Sequence, residues 1–142
     1  MNQPVMTFEQ AEAMQAGNGG LINEGGAYRA VIKKAQWKKA KTGTRFLEIG
    51  IVTDQDQQWD YLPMYYQKES GEVVQNGKRL INALMGITQI QTVSVADGRD
   101  NEDRRIQICP ELLEKPIGLV LQKVLYTKDD GEDGYKFDVR QI

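Results

Sequence analysis

From Gly26 onward the sequence repeats with a period of two, and only once, between Asn76 and Gly86, does it change to helical spacing. That single change limits the fold more than any composition value, because a period-two pattern will not settle as a helix, nor the reverse. In "AYRAVIKKAQWKKA" Tyr28, Ala30 and Ile32 share one parity, while Ala35 and Trp37 take the other. A bulge near Lys33 and Lys34 would return both sets to one face. "KTGT" is a hairpin turn in which Gly43 supplies a positive φ. In "RFLEIGIVT" Leu47, Ile49 and Ile51 oppose Phe46, Glu48 and Gly50, and "DQDQ" forms the next turn. "QWDYLPMYYQK" is a third strand, with Leu62 and Met64 opposing Trp59, Tyr61 and Tyr65. Pro63 cannot donate to a ladder, so an edge or an irregularity is expected there.

Leu80, Ile81, Leu84 and Met85 form the apolar stripe of the one helix, with Asn76 as expected N-cap and Gly86 closing its end. "ADGRDNEDRR" reads as a polar loop, and "CPELLEK" as a single turn opened by Pro110. "PIGLVLQKVLYT" is apolar on both parities, as a strand buried on both sides would be, and Gly118 would permit a bend. "KDDGEDG" turns the chain into "YKFDVRQI", which alternates cleanly. Tyr28, Tyr135 and Phe137 are expected in the core.

Three meandering strands, a helix, then a hairpin is the order of an OB-fold. The expectation is therefore a mainly β chain: a five-stranded barrel with one helix between strands 3 and 4. Closure would remove the exposed edges that five open strands leave. Residues 26–142 form this domain. Residues 1–25 read as a partly flexible N-terminal arm, in which "TFEQAEAMQ" could start a short helix capped by Thr7.

The chain has no histidine and one cysteine, Cys109. Histidine-based nucleophilic catalysis, a His-bearing zinc site, an internal disulfide and a thiolate cluster are all excluded. "GEVVQNGKR" misses a phosphate-binding loop by one residue of spacing and by Arg79 where a Ser or Thr is needed. Counted from Asp129, a calcium loop would need a ligand at Gly131 and a bidentate acid at Arg140. Close acid pairs such as Asp54/Asp56 and Glu102/Asp103 fall in turn-like segments, where solvation explains them. No cofactor, metal or enzyme activity is expected. No apolar run approaches the ~20 residues of a membrane span, and the N-terminus lacks a secretory pattern, so a cytoplasmic protein is expected.

What remains is charge. Residues 26–50 hold seven cations against the single acid Glu48, a balance of +6, in a chain whose net charge is −2. Lysines and arginines along one path gain affinity for phosphates by releasing counterions, without reading sequence. Aromatic rings add base stacking that only an unpaired strand can offer. Lys38, Lys39, Lys41 and Arg45 flank the first turn, and Trp37, Phe46, Trp59, Tyr61 and Tyr65 lie on the strands it joins. Together they are the candidate site for single-stranded DNA. A lysine-rich hairpin is often only a solvated face, and Trp37 is as well suited to the core as to stacking. The acids Asp129, Asp130, Glu132 and Asp133 would repel phosphates, so their loop is expected to point away, to limit binding to one side, or to meet a basic protein partner.

With these pieces assembled, the chain resembles the OB-fold single-stranded DNA-binding proteins encoded by phages and prophages. The matching segments are "GAYRAVIKKAQWKKAKTGTRFLEIGIV", "WDYLPMYY", "NGKRLINALMGI" and "PIGLVLQKVLYT…GYKFDVRQI". The resemblance implies sequence-independent coating of unpaired DNA in phage replication or recombination, inside the host cytoplasm and alongside replication or recombination proteins. A homodimer fits the reading, since linked sites multiply their binding. The rival reading is a protein-interaction β-barrel, an accessory subunit that binds no nucleic acid.

Overall fold

In the computed structural model, which describes residues 20–142, seven antiparallel strands and one helix share a single core. β1 (Gly26–Lys39), β2 (Arg45–Thr53) and β3 (Gln58–Gln67) meander; α1 (Gln75–Thr88) follows. β4 (Ala96–Arg99) and β5 (Arg105–Ile108) make a short hairpin, a single 3-10 turn spans Pro110–Leu112, and β6 (Pro116–Thr127) and β7 (Asp133–Gln141) make a long one. β1 is the hub. Its second half pairs with β2 on one side and with β5 at Gln36 and Trp37 on the other, while its first half pairs with β6.

The expected bulge in β1 is present between Ile32 and Lys34, and it keeps Ile32 and Ala35 on the buried side. They join Leu47, Ile49, Ile51, Leu62, Met64, Leu84, Leu119 and Phe137 in one core. Each fully buried aliphatic side chain contributes about 1.5–3 kcal/mol of hydrophobic stabilisation. Gly43 has φ +88°, and the turn closes through Gly43 N–H donating to Ala40 O at 2.9 Å.

Several expectations need correction. There are seven strands rather than five, because the polar stretch around residue 100 is a hairpin. Four-residue strands are too short to display alternation, and their turn is held by Asp100, whose carboxylate accepts the amides of Glu102 and Arg104 and the Arg104 guanidinium. No ladder joins β3 to β7 among the described residues. These strands meet through rings instead: Trp59 stacks on Tyr135 at 5.3 Å and meets Phe137 edge-on at 4.9 Å.

The helix begins two residues earlier than expected. Val74 occupies the cap position, where its aliphatic side chain offers no acceptor, and its N–H donates to Tyr66 O, which ties the helix entrance to β3. Asn76 lies inside the first turn and accepts from Arg79 at 2.7 Å. Gln89, in the left-handed conformation, ends the helix, and Gly86 sits within its last turn. Gly77 is pressed so closely on β3 that a Cβ there would collide with the Tyr65 carbonyl.

β6 is buried on one parity only. Ile117, Leu119 and Leu121 face the core, but β1 leaves the ladder at Gly26 opposite Leu121. From Gln122 on, β6 pairs with β7 alone, and Leu125 and Tyr126 stand 74% and 44% exposed. Of the expected arm, residues 20–25 are described: Ile22 is fully buried and donates its N–H to Gln58 O. The short helix expected from Thr7 lies outside the described residues. No helix among the described residues is long and apolar enough to cross a membrane.

Candidate nucleic-acid interface

β3 decides where the aromatic side chains go, and it does so through two bulges. Ile49 pairs with Leu62 but Ile51 with Trp59, so β3 holds an extra residue at Asp60–Tyr61. Arg45 pairs with Gln67 but Phe46 with Tyr65, so Tyr66 is extra as well. Each bulge reverses the inside–outside alternation of the residues beyond it. Trp59 is therefore turned inward with Leu62, against Tyr135 and Phe137, and its indole N–H donates to Tyr61 O at 3.0 Å, fastening the bulge. Trp59 does not belong with the exposed rings that its spacing suggests.

On the outer face, Lys38, Phe46 and Tyr65 lie side by side across β1, β2 and β3. Phe46 is only 6% exposed; it supports Tyr65 from beneath, with ring centroids 4.9 Å apart. Tyr61 and Tyr65 are the rings presented to solvent, their hydroxyls 3.5 Å apart. Burial first, then the hydrogen bond and charge of Tyr65 and the charge of Glu48, push the Tyr61 phenol up to about 12, so it stays neutral.

Glu48 governs the cations of this face. It is 2% exposed, and its Oε2 lies 2.7 Å from Lys34 Nζ and 2.9 Å from Lys38 Nζ. The ammonium groups meet that oxygen as ion pairs without the alignment of hydrogen bonds. Lys34 also donates to Asp60 O at 3.0 Å. One acid thus holds two cations, and Lys38 is a partly neutralised member of the site.

The remaining candidates gather at the end of the sheet, beside the first turn. Lys39 and Arg45 face each other across β1 and β2 and, with Trp37 and Tyr66, line a cavity of about 510 Å³. Val93, Val95 and Gln107 close its far side. Trp37 is half-buried, donates its indole N–H to Ser94 O at 2.9 Å and meets the Tyr66 ring edge-on at 5.7 Å. Burial raises the Tyr66 phenol, with Arg45 pulling the other way. Lys41 is exposed at the tip. Among the described residues, Lys39, Lys41 and Arg45 form no ion pair.

The nine candidates therefore divide into three groups. Phe46, Tyr61 and Tyr65 with Lys38 form the outer face; Trp37, Lys39 and Arg45, with Lys41 beyond them, form the turn end; Trp59 is structural. Tyr66 and Lys34 are additions that sequence reasoning misses. A bulge hides Tyr66 from alternation, and the approach of Lys34 to Glu48 depends on register. Beside β1, a cleft toward the β4–β5 hairpin adds Lys33, Arg99 and Arg104, but Arg104 is held at 2.8 Å by Asp100 and Lys33 at 2.7 Å by Glu114. The lone thiol, Cys109, is fully buried, and burial pushes it up to about 11, so it remains protonated. No protein-family model matches this chain, and no curated protein matches it.

Proposed function

We propose that this chain is an OB-type barrel that binds single-stranded DNA largely without regard to sequence. It acts without catalysis in the host cytoplasm, protecting strands left unpaired during phage replication or recombination. The fold reading is supported by β1 pairing with both β2 and β6, and by the helix lying between the meander and the closing hairpin. One observation carries the functional reading: three cations without ion-pair partners among the described residues, Lys39, Lys41 and Arg45, stand at the same sheet end as the half-buried rings of Trp37 and Tyr66, and Lys39 and Arg45 share a cavity with both rings. Unpaired cations release counterions from a phosphate chain, and flat rings accept bases of any kind.

Fluorescence anisotropy of a labelled oligo-dT at a series of salt concentrations tests it. Binding that weakens steeply and linearly in log salt is expected; no binding at low salt would remove the reading. A second reading, a protein-interaction barrel, is favoured by the exposed Leu125 and Tyr126 on the projecting β6–β7 ribbon. It expects no nucleic-acid affinity.

A further inference from the structure

The outer face continues beyond β3. Between β3, the first turn of α1 and β7 lies a cavity of about 270 Å³. Tyr61 and Tyr65 form its β3 wall, Asn76 stands at the helix side, and Lys136, Asp138 and Arg140 line it from β7. The close approach of Gly77 to Tyr65 brings the helix start to the rim of the cavity. Lys136 and Arg140 share the outward parity of β7, since Phe137 and Val139 between them are buried.

The charge balance of this cavity is positive. Among the described residues, neither Lys136 nor Arg140 forms an ion pair, and Asp138 is the single acid in the lining. The first turn of the helix contributes no acid. Arg140 is seven residues along the strand from Asp133, roughly 24 Å at about 3.4 Å per residue. That exceeds the ~10 Å screening length at 0.1 M salt, so the acidic tip does not cancel Arg140. Lys136 and Arg140 stand four positions apart, roughly 14 Å, room for one phosphate at each with Asp138 on the same face midway. The two tyrosines whose faces would carry bases are the same two that wall the cavity.

We propose that this cavity is a second nucleic-acid subsite, taking the sugar-phosphate that continues from bases stacked on Tyr61 and Tyr65, with its phosphates at Lys136 and Arg140. The strand then crosses from β3 to β7 and leaves the molecule away from the acidic tip. This inference rests on the single-strand reading above. It concerns residues that the turn-centred site does not use.

The test compares the intact chain with the double variant K136E/R140E on labelled oligo-dT of about 16 and about 4 nucleotides, the range one OB module covers. Both positions lie on the outward parity of β7, and circular dichroism checks that the fold is kept. On the longer oligonucleotide the variant should lose tenfold or more in affinity, and its salt slope should flatten by about 1.4, at ~0.7 per phosphate. On the shorter one, which fits the turn end alone, it should bind as the intact chain does. Equal affinity and slope on the longer oligonucleotide would overturn the subsite while leaving the single-strand reading intact. Absence of binding by the intact chain itself would overturn both.

Discussion

The β1–β2 and β6–β7 hairpins turn on nearly the same backbone and carry opposite charge. In the first, Ala40 N–H donates to Thr44 O at 2.8 Å and Gly43, at φ +88°, donates back to Ala40 O at 2.9 Å. In the second, Lys128 N–H donates to Glu132 O at 2.7 Å and Gly131, at φ +85°, donates to Lys128 O at 2.9 Å. The turn asks only for a residue tolerant of the left-handed region, which glycine supplies. The basic side chains take no part in closing the first loop, whereas in the second the Asp130 carboxylate accepts the Glu132 N–H at 2.9 Å and helps hold the turn. Lys39, Lys41 and Arg45 on one tip, and Asp129, Asp130, Glu132 and Asp133 on the other, form no ion pairs among the described residues. Asp130 apart, their charges do little for the fold, and their segregation to separate hairpins calls for an explanation in what each tip meets.

The roots of the hairpins differ as well. The acidic ribbon is anchored by a three-ring cluster, half-buried Trp59 and Tyr135 on fully buried Phe137, whereas the basic one rises from half-buried Trp37 and Tyr66, with exposed Tyr65 on the neighbouring face. Trp59→Ala removes a ring that meets both Tyr135 and Phe137 and should lower stability by about 3 kcal/mol in a urea titration. Oligo-dT affinity of the molecules that remain folded should be preserved. A loss of binding without a loss of stability would make Trp59 a stacking residue and erase the contrast between the two roots. Tyr65→Ala should show the opposite pattern: a loss of about 1–3 kcal/mol in binding free energy, with a smaller stability change, since the Phe46 ring beneath it is retained.

Neutralising the acidic tip with D129N/D130N/E132Q/D133N should have the smallest effect. Affinity for oligo-dT should rise a fewfold at low salt, and the gain should vanish as salt shortens the screening length. A gain that persists at high salt would mean that the ribbon lies over the bound strand.

The contrast between the hairpins is visible in the sequence because charge, glycine spacing and alternation are local properties. The β1 bulge is equally legible, since Ile32 and Ala35 break parity at one point and must both be buried. The content of β3 is not. Its two bulges add single residues, and one added residue reverses a face, so Trp59 reads as exposed until its register with Ile51 is known. The β4–β5 hairpin escapes a sequence reading because Asp100 and Arg104 look like loop solvation when they are the clasp of a turn. Asn76 has the chemistry of a cap, but the Val74–Tyr66 backbone bond fixes where the helix starts. Leu125 reads as buried because an apolar strand gives no sign of where its neighbour β1 stops.

Exchanging the charges of the two tips tests the central claim most directly. The variant K39E/K41E/R45E/D129K/E132K/D133K keeps the net charge of −2, both turn glycines and the Asp130 carboxylate that holds the second turn. Log affinity for oligo-dT is then followed against log salt for the intact chain and the exchanged one. On an oligonucleotide of about 4 nucleotides, which fits the turn end alone, the intact chain should give a slope of about −2 from three phosphate contacts, and the exchanged chain should lose binding by a hundredfold or more at 0.1 M salt, because its new cations stand away from Trp37 and Tyr66. Equal affinities and equal slopes would contradict the claim that cations and rings must meet at the first hairpin.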